Sequence, residues 1–157
     1  MKSKIDIIEF RNRLKGNTKI GFPKLRIPIG IFSIFTDNTK YFYGNFDNAT
    51  FEITTNNNFM PSFYFLKGKY IQKDKILNIN YTLEPIGKLR IAWIKYFPII
   101  TLISFNSIFY FEMKPQIEIY LIFNIFLVSI SVLSRLNIKW QNKKIQNEFN
   151  KIFEIIE

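Results

Sequence analysis

The sequence predicts an α+β membrane protein: an N-terminal helix, an antiparallel β-meander of about five strands, a transmembrane helical hairpin and a C-terminal amphipathic helix. Three observations carry this. Segments rich in β-branched and aromatic residues crowd positions 19–84, with turn residues between them. Two uncharged runs of 16 residues follow, at 96–111 and 119–134. The last stretch returns to helical periodicity with its charges on one side. The expected organisation is an α+β domain over 1–87 and a hairpin over 88–136, with spans at about 91–111 and 117–135. A helix over 137–157 is expected to pack on the β-domain.

In the opening segment Ile7, Phe10 and Leu14 share one face by three-and-four spacing. Ser3 stands where a cap would, with Asp6 three positions on. Arg11, Arg13 and Lys15 lie near the C-terminal end, where the helix dipole favours cations. Gly16-Asn17 ends the helix. Asp6 and Glu9 interrupt any apolar run here, so the segment does not read as a signal peptide.

Strands come next. Leu25, Ile27, Ile29 and Ile31 alternate strictly, and 39–43, 50–55, 62–70 and 76–83 are further strand segments. In the last, Leu77, Ile79, Tyr81 and Leu83 form one face while Asn78, Asn80 and Thr82 form the other. Short Asp-, Asn- and Gly-containing turns separate the strands, which favours a meander over a parallel sheet with crossover helices. So small a sheet gains stability from packing on another element.

Each uncharged run covers about 24 Å as a helix, against about 30 Å of hydrocarbon. Ile91–Ile94 extends the first, and Lys95 and Arg135 can snorkel to headgroups. Trp93, Tyr96, Tyr110 and Tyr120 fall near the expected interfaces. Two helices apolar on all faces need cover on all faces, and the rest of the chain is too small to surround both. Lys73, Lys75, Lys88, Arg90 and Lys95 precede the first span, and Arg135, Lys139, Lys143 and Lys144 follow the second. The positive-inside rule then places both termini in the cytoplasm, with the β-domain against an anionic inner leaflet, and the expected location is a bacterial inner membrane. Asn106 and Asn124 lie at similar depth in the two spans and are expected to form an interhelical polar pair. A substrate or ion path through the spans is disfavoured, because their centres carry no ionisable residue. In the tail, Ile145, Phe149, Ile152, Phe153 and Ile156 follow a helical stripe.

Composition narrows the chemistry. The chain has no Cys and no His, which excludes disulfides, Cys/His zinc sites and imidazole bases. No Gly-rich phosphate loop or G-x-S-x-G elbow is present. Ile occurs 29 times against two Val, Lys 17 times against five Arg, and Asn 16 times. These are residues with AT-rich codons, so the net charge of +10 is not by itself a sign of nucleic acid. No catalytic residue, cofactor or metal is expected. The alternatives are a metal-assisted hydrolase built on Asp37, Asp47, Glu52, Asp74 and Glu84, and a basic nucleic-acid binder using Lys24, Arg26, Lys67 and Lys69. Phe59, Met60 and Pro61, beside a run of Asn, form a candidate partner or lipid contact.

The order Phe42-x-Gly44, Phe51-x-Ile53, Asn58-Phe59-Met60-Pro61, then Gly68 and the strand at 76–83, resembles a group of small uncharacterised bacterial membrane proteins. Those have a β-rich region with an F-x-G, F-x-I and N-S-F-x-P-like signature, followed by two membrane spans and a charged helical tail. Here Asn58 directly precedes Phe59, without the Ser. The resemblance implies a β-domain with a membrane hairpin and brings no activity. The function expected from the chain is that of a non-enzymatic membrane protein whose cytoplasmic β-domain binds a protein or lipid partner, as an accessory subunit of a membrane assembly or by associating with itself.

Overall fold

The computed structural model describes residues 1–22, 39–56, 62–112 and 117–156. Over these described residues it is mixed α/β, with a seven-stranded sheet and three helices. In order these are β1 (Lys2–Ser3), α1 (Ile7–Asn17), β2 (Thr18–Ile20), β3 (Phe42–Phe46), β4 (Thr50–Thr55), β5 (Tyr64–Lys73), β6 (Ile76–Pro85), α2 (Lys88–Glu112), α3 (Ile117–Ile152) and β7 (Ile155–Ile156). The chain divides into two compact units. One comprises Met1–Ile86 and Gln141–Glu157, the other Gly87–Trp140.

In the first unit the strand order is β2-β3-β4-β5-β6-β1-β7. Strands β3 to β6 form an antiparallel meander. The sheet as a whole differs from the expected five-stranded antiparallel one in two ways. β2 runs parallel to β3, as the long connection over residues 21–41 permits, since a parallel return needs a dozen residues or more. The predicted strand at 25–31 falls in that connection and lies outside the described residues. At the other edge, two-residue strands from the two ends of the chain pair with each other, Lys2 opposite Ile156 and Ser3 opposite Ile155.

The cap of α1 expected at Ser3 is supplied by Asp6 instead. Asp6 is extended, and its Oδ1 accepts the Glu9 N–H at 2.8 Å. Ser3 sits one element earlier, in β1, where its hydroxyl donates to the Phe153 carbonyl at 2.6 Å. Gln72 Oε1 accepts the Ile7 N–H at 3.1 Å and satisfies another free donor of the first turn.

Phe10 and Leu14 of α1 pack over the face of the sheet that carries Phe42, Phe51, Ile53, Leu66, Tyr70, Leu77 and Ile79. Ile145, Phe149 and Phe153 complete this core. Phe153 lies 4.6 Å from the Phe10 ring, and Phe149 lies 5.1 Å from both Phe51 and Tyr81. Burying each such ring contributes about 1.5–3 kcal/mol. Gly68 leaves room for this packing, because a Cβ there would come within 2.4 Å of the Phe51 ring. Arg13 ties α1 to the chain's end, with Glu9 at 2.7 Å, Glu154 at 2.8 Å and the Ile152 carbonyl at 2.8 Å. The expected tail helix is not a separate element. Helix α3 is continuous from Ile117 to Ile152, Glu154 turns the chain at a φ of 49°, and Ile156 belongs to β7 rather than to a helical stripe.

The second unit is two antiparallel helices. Phe105 stacks on Phe123 at 4.1 Å, and Phe109 meets Tyr120 at 6.4 Å. Both α2 and α3 are long and apolar enough to cross a membrane, and only 6% of the most apolar stretch of each is buried within the structure. Pro98 stands inside α2, where it withholds one backbone N–H from the helix ladder.

Candidate functional site

The first unit carries a concave site on its sheet. Register sets Asn45, Glu52, Lys67 and Thr82 in one row across β3, β4, β5 and β6. A second row holds Thr50, Lys69 and Asn80. Between them, Phe51, Gly68 and Tyr81 point the other way, into the core, because side chains alternate along a strand. These residues, with Asp47 and Glu84, line a groove of about 440 Å³.

The groove's charges are largely committed. Lys67 Nζ lies 2.9 Å from Glu52 Oε1. That bond, with the charges of Glu52 and Glu84, holds the ammonium pKa above its ordinary value. Asp47 closes the turn between β3 and β4. Its Oδ1 accepts the N–H groups of Ala49 and Thr50 at 2.7 and 2.6 Å, and its Oδ2 accepts the Thr50 hydroxyl at 2.7 Å. The Ala49 and Thr50 donors keep the Asp47 carboxyl below its ordinary pKa. Glu84 and Lys69 have no ion-pair partner among the described residues.

Of the five acids singled out in the sequence, Asp47, Glu52 and Glu84 share this groove. Asp74 is in the β5–β6 turn, at a φ of 48° followed by Lys75 at 65°, a hairpin conformation in which Asp is common. Asp37 lies outside the described residues. No cluster of three His, Cys, Asp or Glu able to hold a metal occurs among the described residues. Lys67 and Lys69 do share a face, but they stand with three carboxylates, which gives no positive track for a phosphate backbone. Lys24 and Arg26 lie outside the described residues, as do Phe59, Met60 and Pro61.

The second unit carries a polar network. Asn106 Nδ2 donates to Asn124 Oδ1 at 2.8 Å and to the Leu102 carbonyl at 2.7 Å. The Tyr120 hydroxyl donates to Asn106 Oδ1. Asn124 Nδ2 donates to the Tyr120 carbonyl at 2.9 Å. Each polar group is thus satisfied between or within the helices, as a hydrocarbon environment demands. Tyr120, near the start of the second span, is half-buried and its hydroxyl is part of this network. The hydroxyls of Ser107, Ser129 and Ser134 bond to carbonyls four residues back. They add no unpaired group to the helix surface.

Sequence reading did not single out Thr82, Asn80 or Asn45 as site residues. They come together only through strand register, which leaves no local trace in the sequence. No family model, curated protein or solved structure matches the chain, and the resemblance in the β-region therefore rests on the quoted residues alone.

Proposed function

We propose that the chain is a non-enzymatic integral membrane protein of a bacterial inner membrane, with a hairpin that anchors a cytoplasmic α+β domain for binding a partner. The observation that carries this reading is the 6% burial of the most apolar stretches of α2 and α3. Core helices of a soluble protein bury such surface, whereas lipid accepts it without cost. The charge distribution supports the orientation, because nine cations flank the span ends nearest the domain segments in sequence, whereas the connection between spans has Lys114 alone beside Glu112 and Glu118. The groove around Glu52 and Lys67 is the partner-facing surface in this reading. Its paired charges suit a polar protein surface better than a reaction centre.

One observation favours a hydrolase instead: Asp47, Glu52 and Glu84 line one groove. Yet Asp47 spends both oxygens on its own turn and Glu52 faces Lys67, so neither is poised as an acid or a metal ligand.

Membrane fractionation of the expressed chain with an alkaline carbonate wash tests the anchor, and protease treatment of sealed inverted vesicles tests the side. Retention in the pellet with digestion of both termini is the expected result. Release as a monodisperse soluble species overturns the reading.

A further inference from the structure

The hairpin unit distributes its charge unevenly. Five of the unit's six cations, Lys88, Arg90, Lys95, Arg135 and Lys139, fall at the end away from the connection, and its two acids, Glu112 and Glu118, fall at the connection with the sixth, Lys114. A codon bias raises the number of Lys everywhere, but it does not sort cations to one end of a helix pair.

The packing register sharpens this. Asn106 bonds to Asn124 across the seam between α2 and α3. Lys95 lies eleven residues before Asn106, and Arg135 lies eleven residues after Asn124. Eleven residues are about three turns, or about 16 Å, and return a helix nearly to the same face. By this count the antiparallel seam that joins the two amides sets Lys95 and Arg135 at about one level, with Pro98 between Lys95 and Asn106 on α2. Arg90 and Lys139 follow one to one and a half turns further out.

Lys95 and Arg135 are exposed, and neither has an ion-pair partner among the described residues. Lys95 Nζ has a ring contact, 5.2 Å from the Tyr96 centroid. Two cations set at one level of a helix pair repel each other, and an anion between them relieves that repulsion. The exposed indoles of Trp93 and Trp140 lie at the same end, as side chains of the headgroup region do.

We propose that Lys95 and Arg135 form a phosphate clamp for the headgroup of an anionic phospholipid, with Arg90 and Lys139 as its outer tier. The inference rests on the membrane reading of the hairpin. An arginine fork takes two phosphate oxygens while the lysine supplies a point charge. Basic sites between transmembrane helices on the cytoplasmic side bind anionic headgroups by this chemistry.

Native mass spectrometry of the full chain in neutral detergent, titrated with phosphatidylglycerol or with phosphatidylcholine, tests the clamp. Phosphatidylglycerol should be retained at least tenfold better, and excess inorganic phosphate should not displace it. The double variant Lys95→Gln/Arg135→Gln should lose about twenty-fivefold in retention, about fivefold for each cation removed. Lys95→Arg/Arg135→Lys should keep most of it, and Lys67→Gln/Lys69→Gln in the other unit should change nothing. Equal retention of the two lipids, displacement by inorganic phosphate, or an unchanged double variant overturns the clamp. The carbonate wash separates the two failures. A chain that pellets but shows no lipid preference loses only the clamp, and a chain that washes free loses the membrane reading with it.

Discussion

The two units use the same residue types in opposite ways. In the unit built on the sheet, Phe10, Phe42, Phe149 and Phe153 are fully buried. In the hairpin unit, Phe111 is 81% and Phe126 is 57% exposed. The first unit hides its rings from water behind contacts between the two ends of the chain. The second turns rings such as Phe111 and Phe126 outward and keeps Asn106, Asn124 and the Tyr120 hydroxyl along the seam, beside Phe105 and Phe123. The difference teaches that a pattern of burial is read against a solvent: the first unit's suits water, and the second's has two helices apolar enough to cross a membrane.

The largest effect should come from breaking the core. Phe149→Ala is expected to destabilise the sheet unit by about 3–5 kcal/mol, read as a lower melting temperature in detergent. Phe126→Ala in the hairpin should leave that transition unchanged. Deleting 141–157 removes Ile145, Phe149 and Phe153 together and should abolish the transition. An unchanged melt of the truncated chain would contradict the packing of this segment on the sheet.

Gly44→Ala is the next test. A Cβ there would stand 2.0 Å from the Glu52 carbonyl oxygen. Backbone of the neighbouring strand must move, so the loss should be about 1–3 kcal/mol, measured by the same melt. Gly16→Ala meets nothing within 4 Å and sits in a helix. It should leave stability unchanged or raise it by up to about 1 kcal/mol.

In the hairpin, Asn124→Leu should cost about 1 kcal/mol or less, because interhelical hydrogen bonds in lipid are modest. Measured by unfolding in mixed micelles, a loss of several kcal/mol would show that the polar seam dominates the hairpin.

The smallest effect concerns pH. The Asp47 carboxyl is held below its ordinary value by the Ala49 and Thr50 donors. Its contribution to stability is therefore complete above the ordinary value of 3.8 and is lost as pH falls through the lower folded value. Asp47→Asn should lower the melting temperature of the sheet unit slightly near neutrality and flatten the acid limb of its melting profile. Lys67 has the opposite sign. Its raised value makes the bond to Glu52 fully effective below 10.5 and weaker as pH climbs beyond that.

What the sequence conveys is coarse where structure depends on distance along the chain. A mixed α/β chain with two helices apolar enough to cross a membrane is legible, because alternation in Leu77–Ile79 and unbroken apolar runs are local signals. The ends of the sheet are not. Strands β1 and β7 have two residues each, too few for any period, and exist because the chain's ends meet. The parallel pairing of β2 with β3 hides in a long connection. Ser3 looked like a cap because Ser and Asp are both good caps; Asp6 has that role, and Ser3 holds the Phe153 carbonyl. The continuity of α3 escaped because polarity changes near Arg135 while helix propensity does not. Among the site residues, Asn106 and Asn124 stand out as amides in apolar runs. Tyr120 does not, since an aromatic near a span end reads equally as an interfacial anchor. The groove residues are ordinary polar strand positions until register aligns them.

The central claim is that the two units face different solvents, and the absence of native Cys makes it directly measurable. Ile8 in α1 and Ile122 in α3 are exposed to nearly the same degree, 67% and 68%. Single variants Ile8→Cys and Ile122→Cys in inverted membrane vesicles can be treated with a water-soluble maleimide. The account predicts rapid labelling at position 8 and none at position 122 until the protein is denatured. Equal labelling of the two in intact vesicles would contradict it.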